Sequence, residues 1–278
     1  MNNGVYEQHS HTFKAGSKTY FYTSLFFPKS ARKDVFCLYS FVRIADNFVD
    51  AQPQQAKDFL EFCQKYRAAL NGTPARDNVI DPFVELSQRK QFEPEWTEAF
   101  LRSMEWDLSR SVYATEQEML EYIYGSAEVI GLFMARILGL PIESYQAAMV
   151  QGRAMQLINF IRDIQEDIEL GRQYLPAGET GLADLRYETA KQEPEEFIRF
   201  VRSQIDRYNG WQAQAEAGFS FLPFRSRIPV AAAADMYNWT ARKIYKDPFI
   251  VYKKKVKPSR FRVVTQVALR SLGLTGSK

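Results

Sequence analysis

Histidine and cysteine are almost missing from this chain, which has two of each in 278 residues. His9 and His11 fall in a polar N-terminal stretch. Cys37 and Cys63 have neither the spacing of zinc ligands nor the number needed for a disulfide framework. Zinc held by His and Cys, and catalysis through a central histidine, are thereby excluded. Long apolar runs are missing as well. The best candidate, residues 129–140, is interrupted by Gly131 and Arg136 and falls short of the roughly 20 residues a membrane span requires. The first fifteen residues are polar, unlike a secretory signal. These absences predict a cytoplasmic protein without a transmembrane segment. An excess of one charge is absent too. There are 36 Lys and Arg against 33 Asp and Glu, and a net charge of +3 gives no reason to expect nucleic acid as a partner.

Apolar residues make up 46% of the chain, with 21 Phe and 15 Tyr among them, so a large core is available. Their periodicity is helical nearly throughout. It predicts helices over 28–50, 54–70, 82–90, 94–110, 115–138, 141–170, 194–217 and 228–244. Asn71-Gly72-Thr73-Pro74 is a break, and 176–184 reads as an irregular loop containing Gly178 and Gly181. No strand-like alternation of useful length and no fixed repeat occurs. The expected class is all-α, with residues 1–278 forming one domain whose helices pack around a central space.

Two of these helices carry acids where apolar surface surrounds them. Tyr39, Arg43, Asp46 and Asp50 follow an i, i+4, i+7, i+11 spacing and form one stripe, flanked by Phe41, Val42, Ala45 and Phe48. Gly152, Gln156, Asn159, Asp163 and Asp167 repeat that spacing, flanked by Leu157, Ile158, Phe160, Ile161 and Ile164. A single acidic i, i+4 pair is more often plain surface, as Asp81 and Glu85 are expected to be. Here the seams mix acid with amide and arginine, and most of each helix's circumference is apolar. Isolated charges do not stay buried, whereas gathered carboxylates bind hard cations. Carboxylates beside arginines suit a diphosphate bridged by Mg²⁺, with the arginines holding the remaining phosphate oxygens.

These segments resemble the squalene/phytoene synthase family, the head-to-head trans-isoprenyl diphosphate synthases, and bacterial and archaeal phytoene synthases most of all. Gly16-Ser17-Lys18-Thr19-Tyr20 is similar to that family's N-terminal diphosphate-contact segment. Arg43-Ile-Ala-Asp46-Asn47-Phe-Val-Asp50 resembles the first aspartate-rich motif, and 156–167 the second. Tyr122-Ile-Tyr-Gly-Ser-Ala127 resembles the central tyrosine helix, Gly171-Arg172-Gln-Tyr174 the segment after the second motif, and Met236-Tyr237-Asn-Trp the C-terminal one. Asn47 stands where a second Asp is common, and Glu128 where a small residue is usual; Glu128 is expected on the surface.

The resemblance implies an isoprenoid-synthase-type bundle around a central cavity. It implies that Asp46, Asp50, Asn159, Asp163 and Asp167 hold Mg²⁺, with Mn²⁺ as a substitute. Ser17, Lys18, Thr19, Arg43, Gln156, Arg162, Arg172 and Tyr237 would position two prenyl diphosphates, with Lys254 as a further contact. Tyr39 and Tyr122 would line the reaction zone, where π-faces tolerate cations. The four aspartates, Tyr122 and Arg43 form the expected catalytic set. Two geranylgeranyl diphosphates would give phytoene without NADPH. Two farnesyl diphosphates would give dehydrosqualene, or squalene if NADPH supplies hydride. Ser24, small on a tail-lining segment, favours the longer substrate. A one-substrate terpene cyclase and a non-catalytic scaffold on the same fold are the competing classes. Finally, Lys253, Lys254, Lys255, Lys257, Arg260 and Arg262 begin a basic tail ahead of an apolar-polar stretch over 263–274, a pattern that predicts peripheral contact with membrane lipid.

Overall fold

In the computed structural model, residues 3–16 and 18–271 are described; Ser17 and the side chains of Lys18 and Thr19 lie outside that description. The chain folds into helices α1 (Asn3–Gly16), α2 (Lys18–Ser24), α3 (Lys29–Asp50), α4 (Ala56–Leu70), α5 (Ile80–Lys90) and α6 (Pro94–Ser109). It continues through α7 (Glu116–Ile123), α8 (Val129–Ile137), α9 (Tyr145–Arg162), α10 (Ile164–Glu169), α11 (Tyr187–Gln192) and α12 (Pro194–Ala217). The last elements are α13 (Phe224–Lys246), α14 (Ile250–Lys253) and α15 (Arg260–Ser271). The all-α class read from the periodicity holds: among the described residues the only extended pairing is a single bridge between Val112 and Gln173.

Local chemistry explains two of the helix starts. Thr115 caps α7 and Glu118 closes the capping box, while Pro94 occupies the first turn of α6, where its missing N–H costs nothing. One continuous core joins the helices, from Phe36 and Phe41 on α3 to Phe197 and Phe200 on α12. Two expected boundaries shift. The helix over 141–170 is broken at Asp163, whose backbone (φ −100, ψ 13) leaves the helical region and separates α9 from α10. The helix over 115–138 is continuous but widens into a π-turn at Tyr124–Glu128.

That π-turn corrects the expectation for Glu128, which is buried and accepts a 2.6 Å hydrogen bond from Nε of Arg153 on α9. The packing around it is close. A Cβ at Gly152 would stand 2.2 Å from the Ala127 carbonyl oxygen, and one at Gly131 2.1 Å from that of Ala148. Only glycine lets the two backbones approach this far, so Glu128 is pressed against α9 and needs a cation there. Arg153→Met is expected to destabilise the protein by about 3–5 kcal/mol by leaving Glu128 buried and unpaired, and the denaturant midpoint will report it.

The first and last described helices also pack. The polar N-terminal stretch forms α1, and His9 is fully buried with Nε2 2.7 Å from the Asn78 carbonyl oxygen. Burial pushes its pKa below the ordinary histidine value, against the raising effects of that bond and of Asp77. The basic C-terminal segment from about residue 253 packs on the fold in part, while Lys253, Lys254, Lys257 and Arg262 stay exposed. Val263 and Val267 of α15 are buried, and Arg270 and Gln266 bind Asp235 of α13.

Candidate active site

Helices α3 and α9–α10 present their acids to one opening. On α3, Asp46 lies 2.5 Å from Nη1 of Arg43. One turn later Asp50 takes a 2.6 Å hydrogen bond from Arg172, whose other nitrogen donates to the Val49 carbonyl at 2.6 Å. Opposite, Asp163 is gripped in bidentate fashion by its neighbour Arg162, at 2.8 and 2.5 Å. The break in the helix at Asp163 leaves its carboxylate free to meet both Arg162 and Lys255.

Electrostatics divides the four aspartates. Burial raises Asp46 to about 7, and the nearby charge of Asp50 adds to this, while Arg43 opposes it. The Asp46 side chain is still 30% exposed, so its desolvation is partial. Asp167 is pushed well above the carboxylate range by burial and then by Asp163. Burial would raise Asp163 too, but Arg162 and Lys255 outweigh it and hold the group below its ordinary value. The excess of mutually repelling acids is what a bound cation would relieve.

The donor chemistry suits Mg²⁺ shared with a ligand. Among the described residues no three His, Cys, Asp or Glu side chains close into one metal cage. Two acid pairs on facing walls instead match the way Mg²⁺ binds, through one or two carboxylates plus substrate phosphate. Asn159, one turn before Asp163, has a buried Oδ1 with no hydrogen-bond partner. That atom is an unspent oxygen donor on the wall of the same site.

A cavity of about 350 Å³ leads away from this polar end. Tyr39, Gln156 and Asn159 line it near the acids, and Val35, Ile130, Met134, Met155 and Val230 line it further in. Ser24 also lines it, with its hydroxyl turned back to the Phe21 carbonyl at 2.7 Å. Burial raises the Tyr39 phenol to about 12, so it stays neutral. Tyr237 is buried and near enough to Tyr39 to add to that rise. A Cβ on Gly16 would meet the Tyr39 hydroxyl at 2.3 Å and Arg43 at 3.2 Å, so Gly16 lies directly against Tyr39 and Arg43 of the site.

Two expected residues sit elsewhere than the sequence suggested. Lys254 is exposed, and its neighbour Lys255 reaches in to pair with Asp163 at 3.1 Å and with Glu166. Tyr122, expected to line the reaction zone, is buried one layer behind it, packed against Phe160 and Tyr174. Its hydroxyl donates to Asp107 at 2.7 Å. Asp107 is the residue the motifs missed. It also accepts from the Tyr174 hydroxyl at 2.7 Å, and Arg172 lies 3.9 Å away. Burial lifts Asp107 to about 6, against the charge of Arg172 and the two phenol hydrogen bonds. Its signal was in the chain: Phe100, Met104 and Asp107 share the buried stripe of α6, where an acid has no place without partners.

The sequence profile described as squalene/phytoene synthase matches residues 13–262. The chain is 29% identical over 262 residues to the 15-cis-phytoene synthase of Pantoea ananas, covering 88% of this chain and 84% of that protein. It is 28% identical over 255 residues to the 15-cis-phytoene synthase of a Paracoccus strain, with the same two coverages. A crystal structure of a dehydrosqualene synthase in complex with ligand superposes with a TM-score of 0.83 at 22% identity, covering 98% of this chain and 96% of that one. The squalene synthase HpnC of Alicyclobacillus acidocaldarius superposes with a TM-score of 0.77 at 19% identity, covering 88% and 95%.

Proposed function

The chain belongs to the squalene/phytoene synthase family, and we propose that it is a prenyltransferase that condenses two geranylgeranyl diphosphates head to head into phytoene. The observation that carries this reading is the apolar cavity whose wall includes Tyr39, Gln156 and Asn159, each within two helical turns of Arg43 or Asp163 of the acid and arginine cluster. A prenyl diphosphate has that same division into polar head and apolar tail. The tail of each substrate would lie along the cavity. Ser24 supports the longer chain, because a small side chain on the wall leaves length that an aromatic would take. The names of the bacterial relatives point the same way.

Asp46, Asp50, Asn159, Asp163 and Asp167 would hold the metal. A Mg²⁺ bound there would offset the negative charge that develops on the departing diphosphate. The residues around it do the rest. Arg43, Arg162 and Lys255, which pair with Asp46 and Asp163 in this structure, would hold phosphate oxygens. Tyr39 and Gln156 flank the first isoprene units of the tail, and neutral Tyr39 offers a π-face to an allylic cation. The C1–O bond of one substrate breaks, the double bond of the other attacks, and loss of a proton gives a cyclopropylcarbinyl diphosphate. A second ionisation, rearrangement and proton loss give the C40 product and a second pyrophosphate. None of these steps needs a reductant.

Among the described residues no helix is long and apolar enough to cross a membrane. Peripheral contact with lipid is nevertheless part of this reading, because a C40 hydrocarbon is driven out of water.

The test is an extraction assay with Mg²⁺ and geranylgeranyl diphosphate in the absence of NADPH, beside farnesyl diphosphate with and without NADPH. A C40 triene from the first reaction is the expected result. A C30 product from the second alone would reassign the enzyme to squalene or dehydrosqualene synthesis. Inactivity with both would leave a scaffold.

A further inference from the structure

Three turns at the end of the cavity remote from the acids share one design. In each an apolar residue precedes a proline: Phe27-Pro28, Leu140-Pro141 and Leu222-Pro223. Phe27, Leu140 and Leu222 all line the cavity. Pro28 lies eighteen residues before Asp46, about 27 Å along the helix at 1.5 Å per residue.

Two of the turns match in backbone and in the spacing of a returning arginine. Pro28 (φ −50, ψ 146) caps α3, and Pro223 (φ −53, ψ 143) caps α13. Four residues after each proline an arginine reaches back to the carbonyl three residues before it. Arg32 donates to Leu25 at 3.2 Å, and Arg227 donates to Ser220 at 3.2 Å. The turns thus satisfy these carbonyls from within, which a backbone needs wherever water is withdrawn.

The outward side chains are apolar. Phe26 is 46% exposed, Phe221 41%, Phe224 66% and Ile142 72%; with Leu25 they make five of the twelve exposed large apolar side chains among the described residues. Around them stand Lys29, Arg32, Lys33, Arg225 and Arg227, against one acid in the three turns, Glu143. The first turns of α3 and α13 hold no acid. Cations at a helix N-terminus oppose the macrodipole, so helix stability does not account for this placement. Aromatic side chains ringed by cations are what an anionic bilayer surface takes up.

We propose that these three turns seat the far end of the cavity on an anionic lipid bilayer, so that the hydrocarbon product leaves past Phe27, Leu140 and Leu222 into the acyl chains. The proposal rests on the reading of a lipid product with peripheral membrane contact. It moves that contact from the basic C-terminal segment to the turns. In that segment Val263 and Val267 are buried and, of the described large apolar side chains, only Phe261 and Val264 face outward, whereas the turns carry five exposed apolar side chains.

The test is flotation of the full chain with vesicles of phosphatidylcholine alone or mixed with phosphatidylglycerol. Wild type is expected to float with the mixed vesicles. The triple variant Phe26→Ser/Phe221→Ser/Phe224→Ser is expected to lose about tenfold or more in partitioning. Phe→Leu at the same three positions should keep most of it, which separates lost contact from lost fold. Lys253→Gln/Lys254→Gln should float as wild type. A serine triple that floats like wild type, or a loss confined to the lysine variant, overturns the proposal while leaving peripheral contact standing. A wild type that never floats overturns both. Both native cysteines are buried, so a spin label on Phe221→Cys gives an independent reading. It should be shielded from water by the mixed vesicles, and a label that stays in water overturns the seating.

Discussion

Asp46→Asn is expected to cut turnover by about a thousandfold or more and, in protein stripped of divalent cations, to raise thermal stability. The two effects share one cause. Burial and the neighbouring Asp50 lift the folded-state pKa of Asp46 to about 7, above the unfolded value of about 3.9. A group raised in the folded state binds its proton more tightly there, so its contribution favours folding at low pH. That contribution is fully present below the unfolded value and is lost as pH rises through about 7. Above this window the metal-free protein carries an ionised Asp46 against a cost of up to a few kcal/mol, a ceiling because the side chain is 30% exposed. Asp167, raised in the same direction, adds to it. Asparagine removes the charge and keeps the shape. In EDTA at about pH 8 the variant should melt higher than wild type by about 2–4 °C, and at about pH 5 the gap should close. Adding Mg²⁺ should stabilise wild type at the higher pH and do much less for the variant. Loss of turnover with no metal-free stabilisation at either pH would mean that Asp46 is not held against its charge, and retained turnover would remove it from the metal set.

The acid seams were legible from helical periodicity. A helix repeats every 3.6 residues, so the two polar stripes, one with Asp46 and Asp50 and the other with Asn159, Asp163 and Asp167, could be read from spacing, while their assignment as a cation set came from the family resemblance. The helical class followed from the same periodicity. What spacing does not carry is the partner across the fold. Glu128 read as surface because its cation, Arg153, lies 25 residues away on another helix. Lys254 and Lys255 are neighbours in a run of like residues, and only the turn after α14 decides which of them faces Asp163. Asp107 belonged to no motif, and its two phenol donors come from α7 and from the segment after α10. The paired proline turns were visible as letters, but their likeness needs the returning arginine hydrogen bonds to be seen.

Asp107→Leu is expected to destabilise the protein by about 3 kcal/mol or more and to lower turnover by about a hundredfold, although this residue lies behind the reacting groups. Leucine fills the volume but leaves three donors without their acceptor or counter-charge: the hydroxyls of Tyr122 and Tyr174, and the Arg172 guanidinium. Arg172 would then turn wholly to Asp50, and a tighter pair there withdraws an oxygen that the metal requires. Asp107→Asn keeps an acceptor for one phenol and should fall between wild type and leucine in both respects. The two roles of Asp107, packing and charge balance, separate by pH. Burial lifts its folded-state value to about 6, so wild-type turnover should decline as pH falls through that value and Arg172 loses its counter-charge. In Asp107→Asn that acidic limb should flatten at reduced activity, since the side chain no longer titrates. A stability loss with an unchanged acidic limb would make Asp107 a packing residue only. A flattened limb with wild-type stability would show instead that its charge matters to Arg172 more than its hydrogen bonds matter to the tyrosines.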